Sequence, residues 1–185
     1  MKYYLSALCM LVIATANAQL YMPRNVKAAY AKGTRSYDGK PGKNYWQNHA
    51  VYDINITATP PDRIIKGKET VVYYNESPDT LRRPAIKLFL NIHKAGAARD
   101  GNAQPDYLSK GITIDAVTEN GQKVNAPNAE FTYANTTLRL PQAIAPHTSV
   151  TLTFDWHYEI SVQSGREGMI DSTTYFLAYF YPRIA

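Results

Sequence analysis

The run "SVTLTFDWHYEISV", residues 149–162, places Val150, Leu152, Phe154, Trp156, Tyr158, Ile160 and Val162 at every second position. Thr151, Thr153, Asp155, His157, Glu159 and Ser161 fill the positions between. A helix would scatter those apolar groups around its axis, whereas an extended chain gathers them on one face. The segment is therefore read as one long strand with a dry side and a wet side. It needs strand neighbours and a cover for the dry side.

Other stretches supply the neighbours. From Tyr52, alternation sets Tyr52, Ile54, Ile56 and Ala58 against Asp53, Asn55 and Thr57, and Pro60-Pro61-Asp62 ends the run. Next, Ile65, Gly67, Glu69, Val71 and Tyr73 oppose Ile64, Lys66, Lys68, Thr70, Val72 and Tyr74, up to the turn signal Ser77-Pro78-Asp79-Thr80. "AIKLFLNI" carries Ile86, Leu88 and Leu90 on one face; residues 93–110 read as a loop with room for one helical turn. Ile112, Ile114 and Ala116 alternate into a hairpin whose Asn120-Gly121 tolerates positive φ. "TTLRLP" adds a short strand bearing Leu138 and Leu140, and "YFLAYFYPRIA", residues 175–185, adds a last one. Fifteen tyrosines, with many Thr, Val and Ile, agree with strands. About seven short strands separated by turns describe an all-β chain, an antiparallel sandwich or a strongly curved sheet.

The first residues do not belong to that pattern. Lys2, an apolar run from Leu5 to Ala14 and the small residues Ala16-Asn17-Ala18 form a secretory signal, residues 1–18, with cleavage expected before Gln19. The apolar run is too short for a membrane-spanning helix, so no stable membrane insertion is expected. Cys9 raises a lipoprotein alternative, but Leu8 before it is bulkier than such cleavage sites want. Cleavage would remove the only cysteine. A mature chain that folds without disulfides fits a secreted, periplasmic or cell-envelope location in a bacterium.

Residues 19–44 read as a basic flexible leader. Arg24, Lys27, Lys32, Arg35, Lys40 and Lys43 face only Asp38, while from Asn44 onward thirteen basic residues meet fourteen acidic ones. The formal charge of +5 is thus local, and a solvated or surface-hugging arm is expected rather than a nucleic-acid site.

Within the chain no catalytic motif emerges. His49, His93, His147 and His157 lack metal-ligand spacing, and there is no His-Glu-x-x-His, serine elbow or phosphate-cradling loop. His157, beside Asp155 and Glu159, reads as a surface cross-strand group, and His49 as a packing residue. Asp155 and Glu159 share a strand face, where a carboxylate pair is more often solvated than catalytic. The chain is then either a binding or structural β-domain or the non-catalytic front of something larger.

The order of several segments resembles the N-terminal domain of M1 zinc aminopeptidases, especially secreted forms of Bacteroidetes type. An aromatic opening and a Tyr-x-Ile strand lead to Ile65, Gly67, Glu69, Val71, Tyr73 and Asn75, then to "SPDTL" at 77–81 and "LFLN". "FLAYFYPRIA" is similar to the strand that leads into the catalytic domain of that family. The resemblance implies that residues 45–185 are a large twisted antiparallel β-sandwich, cut before a thermolysin-like domain that would hold the zinc and bind peptide substrate. No catalytic residue, metal ligand or cofactor is then expected on this chain. In the family, Gln or Glu near the last strand helps to hold the substrate's amino terminus. Here the corresponding positions are Tyr179 and Tyr181, which are the candidate substrate-binding residues by aromatic packing. The alternative is a free-standing envelope sandwich that binds a glycan or a protein partner. It expects Tyr179 and Phe180 to be buried in their own fold, whereas the first reading expects an exposed apolar patch around the last strand.

Overall fold

A computed structural model describes residues 21–82, 85–99, 101–124, 137–139, 142–162 and 166–185, with 137–139 described by backbone alone. The expected signal segment, residues 1–18, lies outside them, as does Leu140. The chain divides into two compact units, Met1–Trp46 and Gln47–Ala185.

In the first unit helix α1, Arg24–Ala31, follows Pro23, whose missing N–H costs nothing at a helix start. Gly33, at φ +70°, lets the chain reverse, and its N–H bonds the Tyr30 carbonyl. Residues 34–42 then fold back through an Arg35–Pro41 bridge, while Asn44 donates to the Lys32 carbonyl. The expected leader thus contains a helix and a pinned turn.

The second unit is mostly antiparallel β-structure, as its alternation predicts. Its strands are β1 His49–Ala58, β2 Ile64–Asn75, β3 Ala85–Lys87, β4 Ile112–Glu119, β5 Gln122–Lys123, β6 Thr137–Arg139, β7 Thr148–Glu159, β8 Gly168–Met169, β9 Tyr175–Phe176 and β10 Arg183–Ile184. Five of them form a sheet in the order β1-β2-β7-β4-β5, three form β10-β3-β6, and β8 pairs with β9. All pairings are antiparallel.

β2 and β7 run together for twelve residues and form the spine. Val71 faces Leu152, Glu69 faces Phe154, and Gly67 faces Trp156. These side chains point inward to one core with Ile86, Leu88 and Leu90. Full burial of each large apolar side chain contributes about 1.5–3 kcal/mol. Gly67 is required by its neighbour: a Cβ there would sit 2.1 Å from the Trp156 ring. Asn75 closes β2 by donating to the carbonyls of Asp79 and Ala145 and accepting from Ser77, which ties the strand end to two loops.

Three details differ from the sequence expectation. The alternation Ile112, Ile114, Ala116 breaks at a bulge between Ile114 and Ala116, so Val117 and Glu119 become the inward residues. A bulge inserts one residue and inverts the phase of everything after it. "AIKLFLNI" stays extended only through Lys87 and continues as a 3₁₀ turn, Phe89–His93, though Ile86, Leu88 and Leu90 are all buried as expected. The terminal run is likewise not one strand. It is β9, an irregular crossing that includes Tyr179 at φ +56°, and then β10 after Pro182.

Candidate functional site

The segment 175–185 crosses the inner face of the sheet, and its residues build the site. At one end the Tyr175 hydroxyl donates to the Asp62 carbonyl in the β1–β2 turn, 2.7 Å away. Midway, Phe180 packs on Trp156, with ring centroids 6.2 Å apart. At the far end the Ile184 N–H donates to the Tyr52 hydroxyl at 3.1 Å, and Arg183 and Ile184 pair with β3.

The positive φ at Tyr179 breaks the strand period, so Tyr179 and Tyr181 part company. Tyr179 lies against Phe89, centroids 4.4 Å apart, under the Arg183 guanidinium, and remains 41% exposed. Tyr181 turns inward and meets Tyr52 edge-on at 5.5 Å and Phe180 at 5.1 Å. The two candidate residues therefore occupy different surroundings, one on the surface and one against the core.

Beneath this crossing lies Glu69, 1% exposed, with neither carboxylate oxygen in a well-formed hydrogen bond among the described residues. Burial pushes its pKa up to about 8, and the nearby Trp156 indole N–H offsets only part of that rise. Burial also raises the Tyr52 phenol, helped by Tyr181 and Glu69, while the Ile184 N–H opposes the shift. Near neutral pH, Glu69 is thus held as a neutral acid among aromatic rings. Its place on the face of Ile65 and Val71 follows from the alternation, which was the signal that could have marked it.

Two histidine–carboxylate pairs sit elsewhere in this unit. His93 Nε2 is 3.0 Å from Glu167 Oε2, both side chains 8% exposed, and Nδ1 is 2.8 Å from the Tyr107 carbonyl. A carbonyl can only accept, so Nδ1 carries a proton and Nε2 is left facing the carboxylate. Burial pushes the imidazole toward its neutral form, but Glu167 and the Tyr107 carbonyl more than offset it and raise its pKa. The Tyr158 hydroxyl, also without a well-formed bond, is pushed well up by burial and then by Glu167. Sequence reasoning left His93 in a loop; its partner is 74 positions away, beyond any local pattern.

His157 is a surface cross-strand group as expected, but its partner is Asp115 rather than its own-strand neighbours, Nδ1 to Oδ2 being 2.8 Å. Asp115 lies at the β4 bulge, which presents it to β7. The pair borders an open groove of about 570 Å³ with Lys66 and Asp155. Asp155 approaches Lys68 at 4.0 Å and Glu159 pairs with Arg63 at 3.0 Å, so the two carboxylates are not joined in one site. His49 stacks on Tyr74, centroids 4.5 Å apart. Among the described residues no group of three or more His, Cys, Asp or Glu could hold a metal ion, so the residues present do not fit a zinc site.

No protein-family model and no curated protein sequence matches the chain. Similar solved structures include an M1 zinc metallopeptidase mutant from Deinococcus radiodurans bound to a Tyr-Ser-Ala substrate. It is 14% identical with a TM-score of 0.41, over 72% of this chain and 25% of that one. A two-domain M1 zinc metallopeptidase mutant bound to L-tryptophan is 15% identical with a TM-score of 0.40, over 70% and 25% of the two chains. A further structure of an M1 zinc metallopeptidase mutant from Deinococcus radiodurans is 18% identical with a TM-score of 0.42, again over 70% and 25%. The chain spans about a quarter of the length of each.

Proposed function

We propose that residues 45–185 are the non-catalytic N-terminal β-domain of a secreted M1-like metallopeptidase of the cell envelope. The domain packs on a zinc catalytic domain of the same polypeptide and helps shape its peptide-binding cleft. The observation that carries this reading is the exposure of aromatic groups along the crossing segment, with Phe176 at 47% and Tyr179 at 41%. Val51, Ile56, Val162 and Ile170 are exposed elsewhere in the unit, but Phe176 and Tyr179 are large rings on one segment, which is what a docking face presents. The segments that resemble the family support it too, because Ile65, Glu69, Val71 and Asn75 are buried core or strand-end residues of the second unit.

In this role Tyr179 offers a ring to a substrate side chain or to the neighbouring domain. Tyr181 acts from below by holding the crossing segment against Tyr52. The test has two arms. Purified residues 19–185 are expected to give no turnover of aminoacyl fluorogenic substrates with zinc present, and robust zinc-dependent turnover would sink the proposal. The reading frame after the Ala185 codon is expected to continue to His-Glu-x-x-His. A stop codon there would favour a free-standing binding module, for which the half-buried Phe180 on Trp156 is the supporting observation.

A further inference from the structure

The charge of this protein is concentrated where its chemistry is least explained. Arg24, Lys27, Lys32, Arg35, Lys40 and Lys43 are all exposed, and among the described residues none pairs with a carboxylate. The one acid among them, Asp38, is already engaged: it accepts from the Ser36 hydroxyl and from the Lys40 N–H. The cations are not carried on a loose tail. α1 supports the first two, the Gly33 reversal holds Lys32, and the bridged turn of residues 34–42 supports Arg35 and Lys40.

A cluster of cations alone would suit any polyanion. The same unit, however, also exposes Tyr21, Met22, Tyr37, Tyr45 and Trp46, and Tyr37 stays exposed although its ring stacks on Tyr30. Tyr and Trp rings settle at the depth of lipid headgroups, their apolar bodies in the acyl boundary and their polar tips in water. Basic side chains beside them meet the phosphates of anionic lipids. We propose that residues 21–46 form a docking surface for an anionic lipid membrane, holding the chain against a bilayer without inserting a span. This goes beyond the proposed peptidase role and does not depend on it.

Vesicle co-sedimentation of residues 19–185, which retain every described residue, tests the proposal. Phosphatidylcholine vesicles containing about a third phosphatidylglycerol should bind the chain, and pure phosphatidylcholine should not. Each surface cation contributes about fivefold in affinity. The combined variant Lys27→Gln, Lys32→Gln, Lys40→Gln should therefore bind roughly a hundredfold more weakly, with an unchanged circular dichroism spectrum. The equally charged variant Lys66→Gln, Lys87→Gln, Lys123→Gln, all exposed in the other unit, should bind as the parent does. Replacing Tyr21, Tyr37 and Trp46 together by Ala should weaken vesicle binding while sparing binding to heparin. The proposal is overturned by equal losses from the two lysine variants, by equal binding to both vesicle types, or by a single-stranded oligonucleotide that displaces the vesicles at matched phosphate concentration.

Discussion

His93–Glu167 and His157–Asp115 are the same chemical pair in two regions of one domain. The first is buried, with His93 in the connection that joins β3 to β4, and the second stands on the wet face of the sheet, 40% and 47% exposed. Their separations, 3.0 Å and 2.8 Å, barely differ. Their consequences do, because water screens one pair and is excluded from the other. What a histidine and a carboxylate do here is decided less by their distance than by what surrounds them.

The strongest way to break this comparison is to remove one partner from the buried pair. Glu167→Ala leaves His93 without its counter-charge in a dry site, and a loss of about 3–5 kcal/mol is expected in urea denaturation. A loss below about 1 kcal/mol would mean that the site is wet.

Glu69 sharpens the contrast through pH. Its folded pKa of about 8 lies above the ordinary value of 4.5, so the native state holds a proton that the unfolded chain has lost. Stability should therefore fall as pH rises from about 4.5 toward 8, by at most about 1.4 kcal/mol per pH unit. The raised His93 pKa acts in the same direction, but its contribution is fully present below about 6.5 and fades only above it. The interval from about pH 5 to 6 thus leaves His93 out and holds Glu69 together with Glu119, whose pKa burial also raises, so Glu69→Gln should lessen the slope there and leave the Glu119 part. An unchanged slope would show that Glu69 is charged in the native state.

The smallest effect belongs to the exposed pair. Asp115→Asn should cost less than about 1 kcal/mol, and even that should vanish in high salt. A loss matching that of Glu167→Ala would erase the distinction between the two regions.

Much of the strand content was readable because a period of two leaves a mark in any sequence with one wet face. β7, β2 and the Asn120-Gly121 hairpin, with φ of +50° and +79°, lie where alternation and turn chemistry put them. The expectation failed where a single residue changes the phase. The bulge after Ile114 moves burial from Ala116 to Val117, and the left-handed Tyr179 separates two tyrosines that a regular strand would have aligned. Neither residue carries a local signal: Asp115 is not a glycine, and tyrosine is an uncommon choice at positive φ.

For the candidate site, the sequence named Tyr179 and Tyr181 by resemblance but could not assign them different surroundings. Glu69 was visible on the inward face, and its solvation was not, because desolvation depends on what covers it. That cover arrives from residues 175–184, more than a hundred positions later.

By itself, then, the sequence determined that β2 and β7 extend, which face of those two strands is dry, and where the positive charge gathers, since all three are properties of neighbours along the chain. The tertiary structure alone decided which histidine meets which acid, which carboxyl loses its water, and which tyrosine stays exposed. Those are contacts between distant segments, and their energies depend on the excluded solvent around them.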